Sequence, residues 1–172
     1  MWSLILVPLL ALLFVVSILW PSSRGAPWVP TPLSVVHKML TMAEVGPDDV
    51  VYDLGCGDGR AIVAAARRYG ARAVGIEIDP LRYAWCEMLI TVLGLRNRIR
   101  IVYGDFFAQD LRNADVVTCY LLQSTNKKLE AKLKQELYPG ARVVSNSFTF
   151  PGLRLVGRDD QDKLYLYDMV HT

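Results

Sequence analysis

The sequence predicts an α/β domain, a doubly wound, mostly parallel seven-stranded sheet, preceded by one N-terminal transmembrane helix. Three observations predict it. The first twenty residues, MWSLILVPLLALLFVVSILW, carry no charged side chain, and all nineteen basic and seventeen acidic residues lie beyond them. From residue 49 onward, short apolar runs alternate with helical patterns, which is how a parallel sheet covered on both faces reads. The stretch VYDLGCGDGR at 51–60 places Gly55, Gly57 and Gly59 between a strand pattern and a helix pattern. Glycine costs roughly 0.5–1 kcal/mol in either element, so bare backbone is needed at that point.

A helix over residues 1–20 would span about 30 Å, the thickness of a bilayer core. Trp2 and Trp20 flank it as interfacial aromatics do, and Pro8 is tolerable in a spanning helix. No Lys or Arg precedes the run, whereas Arg24 and Lys38 follow it, which places the C-terminal part in the cytoplasm. A cleaved signal is the alternative, but a positive n-region and a clean A-x-A site are both missing. PSSRGAPWVPTP at 21–32 reads as an extended linker. The chain thus divides into an anchor (1–20), a linker (21–32) and a domain (33–172).

Within that domain, 33–45 sets Val36, Leu40 and Ala43 at helical spacing, with Thr31 as N-cap and Pro32 in the first helical position. DVVYDLG is a buried strand, GRAIVAAARRYG a helix ending on glycine, and RAVGIEID a second strand. PLRYAWCEMLITVLGL is a helix opened by Pro80, followed by the strands IRIVYGD and ADVVTCYLL. NKKLEAKLKQELYPG is amphipathic: Leu129, Leu133 and Leu137 face inward and its lysines form a solvated face. ARVVSNSF is a fifth strand, and LRLVGR and KLYLYDMV pair antiparallel around the turn-rich DDQD.

Composition narrows the function. The 172 residues, 52% apolar, suffice for one core-forming domain. A net charge of +2 argues against a phosphate-coating nucleic-acid binder. Cys56, Cys86 and Cys119 are odd in number and widely spaced, as buried thiols in a reducing compartment are. His37 and His171 are the only histidines, which leaves no multi-histidine metal centre, and no metal is expected.

The three glycines fall on the first strand-to-helix turn, where such sheets bind ligands at the carboxyl ends of their strands. The following helix presents its amide N–H groups there. The spacing is G-x-G-x-G rather than the G-x-G-x-x-G of a pyrophosphate cradle, and Asp53 stands two residues before the first glycine. A carboxylate at that place suits a ligand with a positive amine. Glu77 ends the second strand pattern and Asp105 the third, so acids stand in register after three successive strands.

The pattern Asp-x-Gly-x-Gly-x-Gly resembles motif I of the class I S-adenosylmethionine-dependent methyltransferases. That resemblance implies S-adenosylmethionine as cofactor, with the loop of Asp53, Gly55, Cys56, Gly57 and Gly59 against its methionyl part and Thr31 also among the cofactor-binding residues. It also implies Glu77 on the ribose hydroxyls with Ile78 beside it, Asp105 at the adenine amine and Phe106 on the ring. WVPTPLSVVHKMLTMAEVGPDDVVYDLGCGDGR and VVTCYLLQSTNKKLEAKLKQELYPGARVVSNSF resemble the archaeal broad-specificity protein-lysine methyltransferases. They also resemble the mitochondrial relatives that methylate lysines of the ATP synthase c-subunit and the adenine nucleotide translocase. The resemblance spans about residues 28–170 and implies methyl transfer to a lysine of a protein substrate; the anchor puts membrane proteins within reach. The candidates for the catalytic side are Tyr120 and Trp28, with Thr31 and Gln123 near them; Tyr120 as packing and Trp28 as an interfacial aromatic stay open. A small-molecule or lipid methyltransferase and a non-catalytic cofactor-binding module are the competing functions. No nucleic-acid partner is expected, since CYLLQST after the fourth strand lacks [DNS]-P-P-[YFW].

Overall fold

The computed structural model describes residues 29–170 and, before them, Pro8 alone. The anchor expected over 1–20, most of the linker and Trp28 lie outside the described residues. Among the described residues, no helix is long and apolar enough to cross a membrane.

Helix α1 (Leu33–Met42) buries Val36, Met39 and Leu40. Its N-cap is Pro32 and not Thr31, and no side chain caps it. The Thr31 carbonyl is instead taken by the Arg60 guanidinium. Then follow β1 (Val50–Leu54), α2 (Arg60–Arg68), β2 (Arg72–Glu77), α3 (Pro80–Val92) and β3 (Ile99–Tyr103). A 3-10 turn at Phe106–Ala108 leads to β4 (Val116–Cys119), α4 (Gln123–Glu136), β5 (Arg142–Asn146), β6 (Arg154–Asp159) and β7 (Leu164–Asp168).

The seven strands form one mixed sheet in the order β3-β2-β1-β4-β5-β7-β6. The first five run parallel, and β7 lies antiparallel between β5 and β6. Neighbouring valines on one strand serve opposite faces. Val116 and Val144 join the core that α1, α2 and α3 cover, while Val117 and Val143 join the core under α4. Leu129 and Leu133 on α4 and Leu137 at its C-cap are buried, and Lys127, Lys128 and Lys134 are exposed, whereas Lys132 departs from the expected solvated face and lies half-buried against Glu136. Lys38 closes the domain from α1 by bonding Asp159 at 2.9 Å and Asp162 at 2.5 Å.

β1 pairs with β2 on one side and β4 on the other. The chain order reverses there, so the connections leaving β1 and β4 diverge and open a crevice at the carboxyl end of β1.

Candidate active site

The crevice is walled by the β1–α2 turn, the ends of β2 and β4, and Val29–Thr31 ahead of α1. Gly55, Gly57 and Gly59 have φ of +78°, +58° and +83°, a region open to glycine and strained for other residues. The turn is held by its backbone: the N–H groups of Gly55 and Cys56 both donate to the Ile76 carbonyl, at 2.9 and 3.0 Å. The Gly57 N–H donates to Glu77 Oε2 at 2.8 Å, and the Gly57 carbonyl accepts from Cys86 Sγ at 3.3 Å.

Two buried carboxylates face this loop. Asp53 is opposite Thr118 in the β1–β4 register, and its Oδ1 accepts the Thr118 hydroxyl at 2.7 Å. Burial pushes its pKa up to about 7; the Thr118 bond opposes that, and the charges of Glu77 and Asp58 add to it. Glu77 Oε1 accepts the Asp79 N–H at 2.8 Å while Oε2 holds Gly57. Burial raises the Glu77 pKa as well, against the pull of those two backbone donors. Asp79 in turn caps α3, accepting from the N–H groups of Leu81 and Arg82. At the mouth, Arg60 grips Asp58 through Nε and Nη2, and its Nη1 donates to the Thr31 carbonyl at 2.7 Å. Burial works against the Asp58 charge, yet Arg60 holds the carboxyl below its usual range.

The crevice thus sets two buried acids beside bare backbone at a switch point, with Arg60 and Arg82 also on its wall. The model of the ANTKMT methyltransferase domain matches residues 53–156, which carry the glycine turn and both buried acids. The chain belongs to the ANTKMT methyltransferase family. This methyltransferase is 48% identical over 127 residues to a protein-lysine N-methyltransferase of Saccharolobus islandicus, covering 73% of this chain and 79% of that one. It is 33% identical to the adenine nucleotide translocase lysine N-methyltransferase of Mus musculus, over 87% of this chain and 66% of that one. Against the lysine N-methyltransferase of the ATP synthase C-subunit from Homo sapiens it is 30% identical, over 73% of this chain and 53% of that one, so it spans about half of that relative. A solved RNA methyltransferase of Salinibacter ruber in complex with S-adenosyl-L-homocysteine superposes with a TM-score of 0.79. It is 41% identical, over 84% of this chain and 95% of that one.

The methyltransferase uses S-adenosylmethionine, and its crevice fits that cofactor. It offers two buried carboxylates for a charged amine and a diol, bare backbone between them, and the Phe106 ring at the wall. Of the residues singled out from the sequence, Thr31, Asp53, Gly55, Cys56, Gly57, Glu77, Ile78, Phe106 and Tyr120 all line the crevice. Three do not. Gly59 is the N-cap of α2, and a Cβ there would point at Cys86 Sγ, 3.1 Å away in the core. Asp105 is exposed and caps the 3-10 turn through the Phe107 N–H, which brings Phe106 rather than the acid to the wall. Gln123 is spent holding a loop: Nε2 donates to the Thr149 carbonyl at 2.9 Å and Oε1 accepts the Thr149 N–H at 3.1 Å. Sequence reasoning missed Thr118, Asp58 and Arg60. Among the described residues no group of three or more His, Cys, Asp or Glu is placed to hold a metal ion.

Gly75 on β2 supports the turn from below. A Cβ there would lie 2.8 Å from Cys56 Sγ and 2.9 Å from Ile62 Cδ1. Gly75→Ala is therefore expected to cost about 1–3 kcal/mol by overpacking and to weaken cofactor binding by pushing Cys56 toward the crevice. Thermal melts with isothermal titration of S-adenosylmethionine would show both losses together; a fall in stability with unchanged affinity would uncouple Gly75 from the turn.

Proposed function

We propose that this methyltransferase modifies the side-chain amine of lysines in a protein substrate, tethered to a membrane by residues 1–20 with its catalytic domain on the cytoplasmic side. One observation carries the reaction: Tyr120, at the carboxyl end of β4, walls the same crevice as Asp53 and Glu77. An acceptor arriving along β4 meets the ligand that those acids select. The names of the archaeal and mouse relatives support lysine as that acceptor.

S-adenosylmethionine, when bound, supplies a methyl group already activated on a sulfonium. In this reading Asp53 holds its amine, Glu77 its ribose hydroxyls and Phe106 one face of its ring. The remaining difficulty is the nucleophile, because lysine has a reference pKa of about 10.4 and the neutral amine costs roughly 4.6 kcal/mol at pH 7. The apolar wall of Val36, Met39 and Leu121 disfavours the ammonium. The Tyr120 hydroxyl orients the amine, and positioning lowers the barrier further.

The Salinibacter structure, described as an RNA methyltransferase, favours a second reading with RNA as acceptor. Full-length protein, incubated with labelled S-adenosylmethionine and membranes, separates the two. Label in protein that acid hydrolysis returns as methyl-lysine supports the proposal. Label confined to the RNA or lipid extract overturns it. Tyr120→Phe is expected to lower kcat while leaving cofactor affinity unchanged; loss of affinity would place Tyr120 with the cofactor instead.

A further inference from the structure

The outer face of α3 does not suit water. Leu81, Trp85, Met88 and Val92 recur at i, i+4, i+7 and i+11 and are 49%, 49%, 52% and 78% exposed. No charge interrupts this stripe, and the one acid in the helix, Glu87, is paired with Arg96 at 2.9 Å. Beside it runs a groove with Leu33, Val63, Trp85, Leu89 and Leu93 along its walls and Arg67 and Arg68 at its rim. The groove shares Asp58, Arg60 and Arg82 with the active-site crevice, so the two are continuous.

The groove is lined by four arginines, Arg60, Arg67, Arg68 and Arg82, against one acid, Asp58. Arg67 and Arg68 enter no ion pair among the described residues. An exposed apolar stripe beside unpaired arginines is complementary to a bilayer whose surface is anionic. Nucleic acid would use the arginines but leave Leu81, Met88 and Val92 without a partner. The path of the incoming chain agrees. It arrives at Val29 and Leu33, both more than half exposed. Residues 21–28 reach at most roughly 29 Å from the end of the uncharged run.

We propose that the outer face of α3 and the adjoining groove lie on an anionic phospholipid surface, so that the crevice opens at the level of the lipid headgroups. The inference extends the tether proposed above, and the experiment reads the two separately. Full-length protein carrying Trp2→Phe, Trp20→Phe and Trp28→Phe retains Trp85 as its single tryptophan. It is reconstituted into vesicles of phosphatidylcholine and phosphatidylglycerol that contain a lipid brominated near the headgroup. Trp85 emission is expected to shift to the blue and to be quenched, and both effects should fall in phosphatidylcholine alone. Met88→Glu with Val92→Glu, both at exposed positions, should abolish the quenching while carbonate-resistant sedimentation persists. Arg67→Glu and Arg68→Glu should each weaken the association of the face by about fivefold or more.

Vesicle-bound protein with unquenched Trp85 overturns the proposal and leaves the tether standing. Quenching that carbonate reverses, with the protein released, supports the face and removes the tether. Protein that does not float with the vesicles removes both. A lipid-free blue shift that grows with protein concentration assigns the face to a second copy, and protection of Trp85 by RNA but not by vesicles assigns it to nucleic acid. Either result overturns the proposal.

Discussion

Asp53→Asn is expected to stabilise the domain above pH 7 and to cost it most of its cofactor affinity. Asp53 is buried, and its pKa in the folded state is raised to about 7 against an ordinary 3.8. For a carboxyl shifted upward, the stabilising contribution of the protonated form is complete below the unfolded value. It is lost as the pH climbs from 3.8 through about 7, because over that window the unfolded chain ionises while the buried carboxyl stays protonated, and above it the loss is complete. The rise from 3.8 to about 7 is worth at most about 4 kcal/mol. Asparagine is neutral throughout and keeps an oxygen for the Thr118 hydroxyl. The variant should therefore melt several degrees higher than the parent at pH 8 and no higher at pH 4. Binding should move the other way: parental affinity for S-adenosylmethionine rises as Asp53 ionises, and the variant loses at least about tenfold, with no pH dependence from this site. Coincident stability curves for the two proteins between pH 5 and 8 would show that Asp53 is already charged in the free protein.

Glu77→Ala should damage both fold and binding. The acid accepts the N–H groups of Gly57 and Asp79 and is 5% exposed, so its removal strands two buried donors. Each stranded donor costs roughly 1–3 kcal/mol, and the glycine turn loses its tie to β2. Cofactor affinity should fall by tenfold or more, as expected for a lost charge-assisted pair. Glu77→Gln, which keeps one acceptor oxygen, should recover part of the stability and little of the binding. An alanine variant as stable as the parent in urea would mean that water replaces the carboxylate. The sequence alone shows only an acid at a strand end facing a ligand; its second task, as a brace for the loop, appears once β1 and β2 are side by side.

That contrast separates what the sequence reveals from what it does not. The alternation of apolar runs and helical patterns is a property of consecutive residues, so five parallel strands and their helices could be read directly. The closing antiparallel pair was legible from its turn. Asp53 and Glu77 were legible because each sits at a fixed offset from a strand end. Thr118, however, bonds Asp53 across 65 positions of chain, and that neighbour is set by the β1–β4 register. Arg60 reaches Thr31 across 29 positions, and Cys86 reaches Gly57 across the same span. Asp105 stands two residues beyond the end of β3 rather than within the strand; the chain turns into a 3-10 helix there, and the carboxylate caps it.

The Arg60–Thr31 bond bears on how the protein can be cut and fused. Val29, Pro30 and Thr31 wall the crevice, yet in sequence they are the last residues of the linker. The apparent domain boundary at residue 33 is therefore not a safe place to begin a shortened chain. A chain starting at Leu33 would keep every strand and helix described above, but it would leave one side of the pocket open to solvent and the guanidinium without its carbonyl. An affinity tag or fluorescent fusion joined at that point would sit in the doorway. Fusions to this protein belong after β7, whose last residue pairs with the first of β5 and so lies at the pole of the sheet opposite the crevice.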